Sequence, residues 1–240
     1  MVSAGVKAFS QNSYPEFVKQ IFISGNDTLP YRLLQPEKAK SGKKYPLIIF
    51  LHGAGERGRD NEANLKYITD LFLNPYNRKK FPAFVLVPQC PPQKWWAPQN
   101  WSDKPASPAD LVIRLADDLV KSYPIDVSRI YLMGLSMGGN GTWYLLTRYP
   151  DRFAAGVPIC GWGNRELIPA MKDIPVWAFH GDKDPVVPAE KSRELISALQ
   201  NAGGHPRYTE YKDTGHDSWT PALNEPELLK WLFSFKRPRK

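Results

Sequence analysis

The chain has 240 residues, a formal net charge of +8, and 42% hydrophobic against 23% charged residues. That balance excludes a mainly disordered chain, and the length is enough to bury a sizeable core without disulfide staples. No apolar run reaches the ~18 residues of a membrane-crossing helix. Met1 to Asn12 lacks the apolar core of a signal peptide, which leaves two expectations: a cytoplasmic protein, or a secreted or periplasmic one whose leader has been removed.

In chain order, Phe17 to Ile23 and Thr28 to Leu34 flank Gly25-Asn26-Asp27 and predict an opening antiparallel hairpin. A polar loop over 35–45 leads to Leu47-Ile48-Ile49-Phe50-Leu51, a continuous apolar run that reads as a strand buried on both faces. A helix is expected over 61–73, then a strand at Phe84 to Val87. The loop from Gln89 to Ser107 is rich in proline and tryptophan. Pro108 suits the first position of a helix capped by Ser107, with Leu111, Leu115 and Leu119 on one face. A strand at Arg129 to Met133 runs into Gly134-Leu135-Ser136-Met137-Gly138-Gly139, followed by a helix to Arg148 that stops before Pro150. Further strands are expected at Ala154 to Ile159, Val176 to Phe179 and Tyr208 to Tyr211, with helices at 188–200 and 226–235. The alternation predicts an α/β fold with a mostly parallel sheet of about eight strands, helices on both faces and one domain over 1–240.

The first chemical signal is Gly134-X-Ser136-X-Gly138 between a buried strand and a helix. A serine on so tight a turn has crowded neighbours, and glycines two before and two after leave it room. The turn lifts the hydroxyl out of the sheet beside the unpaired amides that begin the helix. Such a hydroxyl needs a base. Of the four histidines, His52 and His180 end strands and precede glycine, His205 lies in a polar turn, and His216 follows the last strand. His216 fits the role. The orienting carboxylate comes from His180-Gly181-Asp182-Lys183-Asp184, which offers Asp182 and Asp184.

With these motifs the chain resembles the α/β-hydrolase superfamily over nearly its full length, whose triad runs serine, acid, histidine in chain order. Leu51-His52-Gly53-Ala54-Gly55-Glu56-Arg57-Gly58, Pro88-Gln89-Cys90-Pro91 and His180-Gly181-X-X-Asp184-X-X-Val187-Pro188 are similar to a narrower group. It holds phospholipase/carboxylesterase-like and polyhydroxybutyrate-depolymerase-like proteins and the feruloyl and acetyl-xylan esterases. The resemblance implies a serine carboxylesterase using Ser136, Asp184 and His216, with the backbone amides of Ala54 and Met137 as the oxyanion hole and Gly53 against the substrate. Asp182 is left to brace its turn, and Glu56 and Arg57 to brace the loop after Leu51. Dienelactone hydrolases share the architecture but use cysteine where this chain has Ser136.

Five of the eight tryptophans, Trp95, Trp96, Trp101, Trp162 and Trp219, lie beyond carboxyl ends of strands, where open α/β sheets bind ligands. Trp96, Trp101, Trp162 and Trp219 are expected to wall a cleft for a short-chain or aromatic acyl ester, either a small molecule or one linked to plant polysaccharide. A peptidase or acyltransferase with the same triad, and a non-catalytic carbohydrate binder, are the competing expectations. No metal, cofactor, nucleic acid or membrane partner is expected. The basic run Lys236-Arg237-Pro238-Arg239-Lys240 reads as a solvated tail. Superfamily strand order separates Cys90 from Cys160 by two strands, so no disulfide is expected.

Overall fold

The computed structural model describes residues 13–98, 101 and 108–238. Eight strands form one sheet: β1 Phe17–Ser24, β2 Asp27–Leu34, β3 Tyr45–Leu51, β4 Phe84–Pro88, β5 Ile125–Leu135, β6 Ala155–Ile159, β7 Trp177–Gly181 and β8 Arg207–Tyr211. Their order is β1-β2-β4-β3-β5-β6-β7-β8. β2 is antiparallel to both β1 and β4, and every pairing from β4 to β8 is parallel. The α-helices among the described residues are α1 Thr69–Leu73, α2 Pro75–Lys80, α3 Pro108–Ser122, α4 Met137–Arg148, α5 Glu190–Asn201, α6 Trp219–Leu223 and α7 Leu228–Phe233.

Every residue of β3 and β4 is buried, as expected of central strands covered on both faces. The two-residue period of β3 sends Leu47, Ile49 and Leu51 to one core and Ile48 and Phe50 to the other. Helices α3, α4 and α5 close the first core through Leu111, Leu115, Leu119, Trp143, Leu145, Leu195 and Leu199. The second is closed by Phe72 of α1, Leu223 of α6, and Leu228 and Leu232 of α7. Cys90 and Cys160 are free, buried thiols that pack into opposite cores. No helix among the described residues is long and apolar enough to cross a membrane.

The strands match the sequence reading closely, with β5 extended at both ends. The capping residue Ser107 expected for α3 lies outside the described residues. The continuous helix expected over 61–73 is not formed. That segment holds a 3₁₀ turn, Ala63–Leu65, and then the five-residue α1. Asn61 is buried with φ of 56°, a left-handed conformation that asparagine tolerates better than most side chains. Its Nδ2 donates to the Gln20 and Tyr31 carbonyls at 3.0 and 2.9 Å, and Asn64 Nδ2 donates to the Val87 carbonyl at 2.7 Å. These bonds tie the segment to strand backbones and outweigh the helical spacing of its apolar residues. A separate helix begins at Pro75, where the Asn74 side chain accepts from the Tyr76 and Asn77 amides. The 3₁₀ stretch Arg165–Met171 and helix α6 were also not anticipated.

The basic C-terminus departs from a fully solvated tail as well. The Arg237 amide donates to the Ser128 carbonyl at 2.8 Å, and its guanidinium reaches the Asp151 carbonyl. Arg32, fully buried, is met by the Phe17 and Asn61 carbonyls and by Glu62.

Two stability predictions follow from these contacts. Asn61→Leu strands one buried and one part-buried carbonyl and forces a branched side chain into a left-handed backbone. We expect a loss of about 3 kcal/mol in urea unfolding. Asp126 accepts from the Ser128 amide and hydroxyl and from Arg129 Nε at 3.1, 2.6 and 2.8 Å. Burial acts to raise this carboxyl, but those bonds outweigh it and hold it down at about 2. A depressed folded-state value stabilises the fold above the unfolded value of about 3.9 and ceases to do so as pH falls through about 2. Asp126→Asn is therefore expected to destabilise the protein by roughly 1–2 kcal/mol at pH 7, with the gap to wild type closing on acidification towards pH 2.

Candidate active site

Strand β5 delivers Ser136 to the carboxyl edge of the sheet in a backbone conformation that serine rarely adopts, φ 53° and ψ −116°. The surrounding backbone is packed so closely that only glycine fits on either side. A Cβ on Gly134 would lie 2.3 Å from the Gly138 carbonyl oxygen, and one on Gly138 would lie 1.9 Å from the Leu51 carbonyl oxygen. The Ser136 amide is anchored to the Ile159 carbonyl at 2.9 Å, and the Ser136 carbonyl accepts the Asn140 amide at 2.9 Å to start α4. Residues 132–135 and 137–140 are buried, whereas Ser136 is partly exposed.

Ser136 Oγ lies 2.9 Å from His216 Nε2, and His216 Nδ1 lies 2.7 Å from Asp184 Oδ2. The structure thus brings together the three side chains singled out in the sequence, each from a loop beyond a strand: β5, β8 and β7. A carboxylate only accepts, so the imidazole proton sits on Nδ1 and leaves Nε2 to accept from the serine hydroxyl. Asp184 Oδ1 accepts the Val186 and Val187 amides at 2.8 and 2.9 Å. Burial acts to raise the Asp184 carboxyl, but the bonds from His216, Val187 and Val186 overcome it and leave the group below its ordinary value. Asp182 makes no local Asx bond. It accepts the Thr214 amide at 3.2 Å and so supports the loop that carries His216.

Ala54 and Met137 flank Ser136. Met137 opens α4, where the first amides have no intrahelical partner. Ala54 opens a 3₁₀ turn after β3 that is braced from several sides. Arg57 Nε donates to the Ala54 carbonyl at 2.8 Å. Burial raises the Glu56 carboxyl, and the Glu56 amide donates to the Gly53 carbonyl at 3.4 Å. Gly53 is buried against this turn, where a Cβ would meet Leu135 Cδ1 at 2.8 Å. His52 accepts the Cys90 amide at Nε2, 2.9 Å, and its Nδ1 donates to the Gly53 carbonyl. Burial pushes its imidazole down to about 4, so it is a neutral structural link.

A cleft of about 350 Å³ opens beside Ser136, lined by Ala54, Met137, Trp95, Trp162, the Val186–Pro188 segment and Lys191. Trp95 and Trp162 meet edge to face in its lining, ring centroids 6.1 Å apart. The tryptophans expected to wall the cleft divide accordingly. Trp162 lines it. Trp96 does not: it is fully buried, donates Nε1 to the His52 carbonyl at 2.9 Å and packs edge-on against the His52 ring, so its neighbour Trp95 takes the position. Trp101 packs on Tyr144, and Trp219 packs edge-on against His216, 5.3 Å between centroids; neither is among the cleft residues. The sequence reading also missed Lys191 and the Val186–Pro188 wall, although the latter lies inside the motif that supplied Asp184.

Among the described residues, one group of three possible metal donors is close-set: Cys160, Asp184 and His216, with atoms within 4.8 Å of one another. Two of these are committed to each other by a hydrogen bond, and burial pushes the Cys160 thiol up to about 12, which keeps it protonated. The arrangement suits proton transfer better than metal coordination.

Comparison with known proteins agrees with this fold. The family model described as Phospholipase/Carboxylesterase matches residues 37–226. A thermostable esterase of known structure is 40% identical and superposes with a TM-score of 0.88, over 93% of this chain and 64% of its own. A protein of Oryza sativa subsp. japonica named probable carboxylesterase is 25% identical over 75% of both chains. A bifunctional acetylxylan esterase/xylanase of Neocallimastix patriciarum is 26% identical over 59% of this chain, which spans only 20% of that longer protein. With the sheet order, the serine elbow and these matches together, the chain belongs to the phospholipase/carboxylesterase family of the α/β-hydrolase fold.

Proposed function

We propose that the protein is a serine carboxylesterase in which Ser136 is the nucleophile, His216 the general base and acid, and Asp184 the group that orients the imidazole. The observation that carries this reading is the continuous hydrogen-bonded path from Ser136 Oγ to His216 at 2.9 Å and on to Asp184 at 2.7 Å. Family membership and the esterase relatives support the same reaction class.

In the proposed cycle, Ser136 Oγ bonds to the ester carbonyl carbon as its proton passes to His216 Nε2. The carbonyl π pair moves onto oxygen, where the Ala54 and Met137 amides stabilise it; one such donor typically contributes about 3 kcal/mol. Collapse expels the alkoxide, which takes the proton from the imidazolium and leaves an acyl-serine. A water then gives its proton to His216 and attacks the acyl carbon, and the returning proton releases Ser136 and the free acid. Asp184 remains ionised throughout, balancing the imidazolium it faces.

The substrate reading is a short-chain or aromatic acyl ester, including esters carried on plant polysaccharide. The support is the lining: two indoles, Ala54, Met137 and the Val186–Pro188 segment form a largely apolar cleft suited to a flat acyl group or ring. The acetylxylan esterase among the relatives points the same way.

Hydrolysis of p-nitrophenyl acetate tests the reaction. Ser136→Ala is expected to lower kcat by on the order of 10⁴-fold or more, and equal rates in the two proteins would refute the assignment. For the cleft, Trp162→Ala and Trp95→Ala are each expected to raise KM for a feruloyl ester by about tenfold, equivalent to roughly 1.4 kcal/mol of lost contact. The effect on an acetyl ester should be smaller. An equal rise for both esters would place the aromatic acyl group elsewhere.

A further inference from the structure

Asp184 serves two imidazoles. Its Oδ2 lies 2.7 Å from His216 Nδ1 and 3.2 Å from Nε2 of His180, a side chain with no exposure to solvent. His180 Nε2 also lies 2.9 Å from the Val187 carbonyl. Both neighbours of Nε2 are oxygens that only accept, so this nitrogen carries the ring proton and donates it to Val187, with the carboxylate beside it in electrostatic contact at 3.2 Å. The other nitrogen, Nδ1, then has a bare lone pair, and Ser192 Oγ of α5 donates to it at 2.7 Å. Ser192 is itself buried, and its next oxygen, the Gly161 carbonyl, is more distant at 3.5 Å. Burial lowers the affinity of His180 for a second proton, so the ring is neutral.

The two contacts of His180 Nε2 bear on the same object. The Val187 amide donates to Asp184 Oδ1 while the Val187 carbonyl accepts from His180, so the ring grips the loop that holds one carboxylate oxygen and also touches the other. We propose that His180, its ring held in orientation by Ser192, is a positioning residue that fixes the plane of the Asp184 carboxylate and thereby the orientation of His216. This inference rests on the proposed Ser136–His216–Asp184 triad. Its physical basis is the sensitivity of proton transfer to geometry: a displacement of about 1 Å in a catalytic group can cost on the order of 100-fold in rate. A partial loosening of one carboxylate should cost less. His180 is not itself among the cleft residues, and it touches the wall only at the backbone carbonyl of Val187, so its removal should fall on the chemical step far more than on substrate binding.

The experiment is steady-state hydrolysis of p-nitrophenyl acetate by His180→Leu, His180→Gln, Ser192→Ala and Ser136→Ala, with folding checked by circular dichroism. His180→Leu removes the donor and is expected to lower kcat about tenfold or more, with KM within about twofold of wild type. His180→Gln keeps an N–H donor at about the same reach and is expected to restore kcat to within about threefold of wild type. Ser192→Ala removes the bond that holds Nδ1 and so loosens the ring, and is expected to lower kcat about threefold at unchanged KM. A folded His180→Leu with wild-type kcat overturns the inference, as does a folded His180→Gln that falls as far as His180→Leu. Should His180→Leu fail to fold, a wild-type kcat in Ser192→Ala overturns it. If Ser136→Ala retains activity, the triad reading itself fails. If Ser136→Ala is inactive and His180→Leu is not impaired, only the role of His180 is lost.

Discussion

The left-handed backbone at Ser136 is the constraint around which the rest of the site is arranged. A serine held at φ 53° persists only because its surroundings determine it from both sides. Gly138 abuts the Leu51 carbonyl, Gly134 abuts Gly138, and the serine amide is bound to β6 through the Ile159 carbonyl. The contact with Leu51 has a further effect. It seats the start of α4 against the end of β3, which brings Met137 and the Ala54 turn to the same side of Ser136. One close backbone approach therefore sets the proposed nucleophile and both proposed oxyanion donors in register.

Around that elbow the two His-Gly dipeptides do parallel work. His52 directly follows β3, and His180 lies one residue from the end of β7. Each is buried and neutral, and each bonds through both ring nitrogens. His52 joins the Ala54 turn to the loop at Cys90, and Trp96 reinforces that junction from the other side. His180 joins the Asp184 loop to α5. In both cases an imidazole serves as a rigid two-ended connector between loops with no regular hydrogen-bond ladder of their own. The loops nearest the reaction thereby gain the precision of the sheet beneath them.

The strands were legible in the sequence because parallel strands covered on both faces leave continuous apolar runs, and Leu47 to Leu51 and Phe84 to Val87 are such runs. The elbow was legible because its glycines flank a serine at the strand–helix junction. What escaped the reading depends on three-dimensional context. The helix over 61–73 failed because Asn61 and Asn64 spend their amides on distant strand carbonyls, a commitment invisible to periodicity, and the helix that starts at Pro75 was not anticipated. Trp95 and Trp96 are adjacent and chemically identical, so only the fold reveals which faces the cleft and which packs under His52. The connection from His180 to Asp184 lay four residues apart in plain view. Its meaning required the turn after β7 that folds the carboxylate back onto the ring.

The two thiols complete the picture from the opposite direction. Cys90 and Cys160 are sealed in separate cores on either side of the sheet, and burial pushes both up to about 12. Since the thiolate is the reactive form, neither sulfur can meet an alkylating reagent while the layers stay closed. The molecule thus carries one internal witness per layer, each silent until its own side comes apart, so the order in which the two are modified records which half of the sandwich opens first.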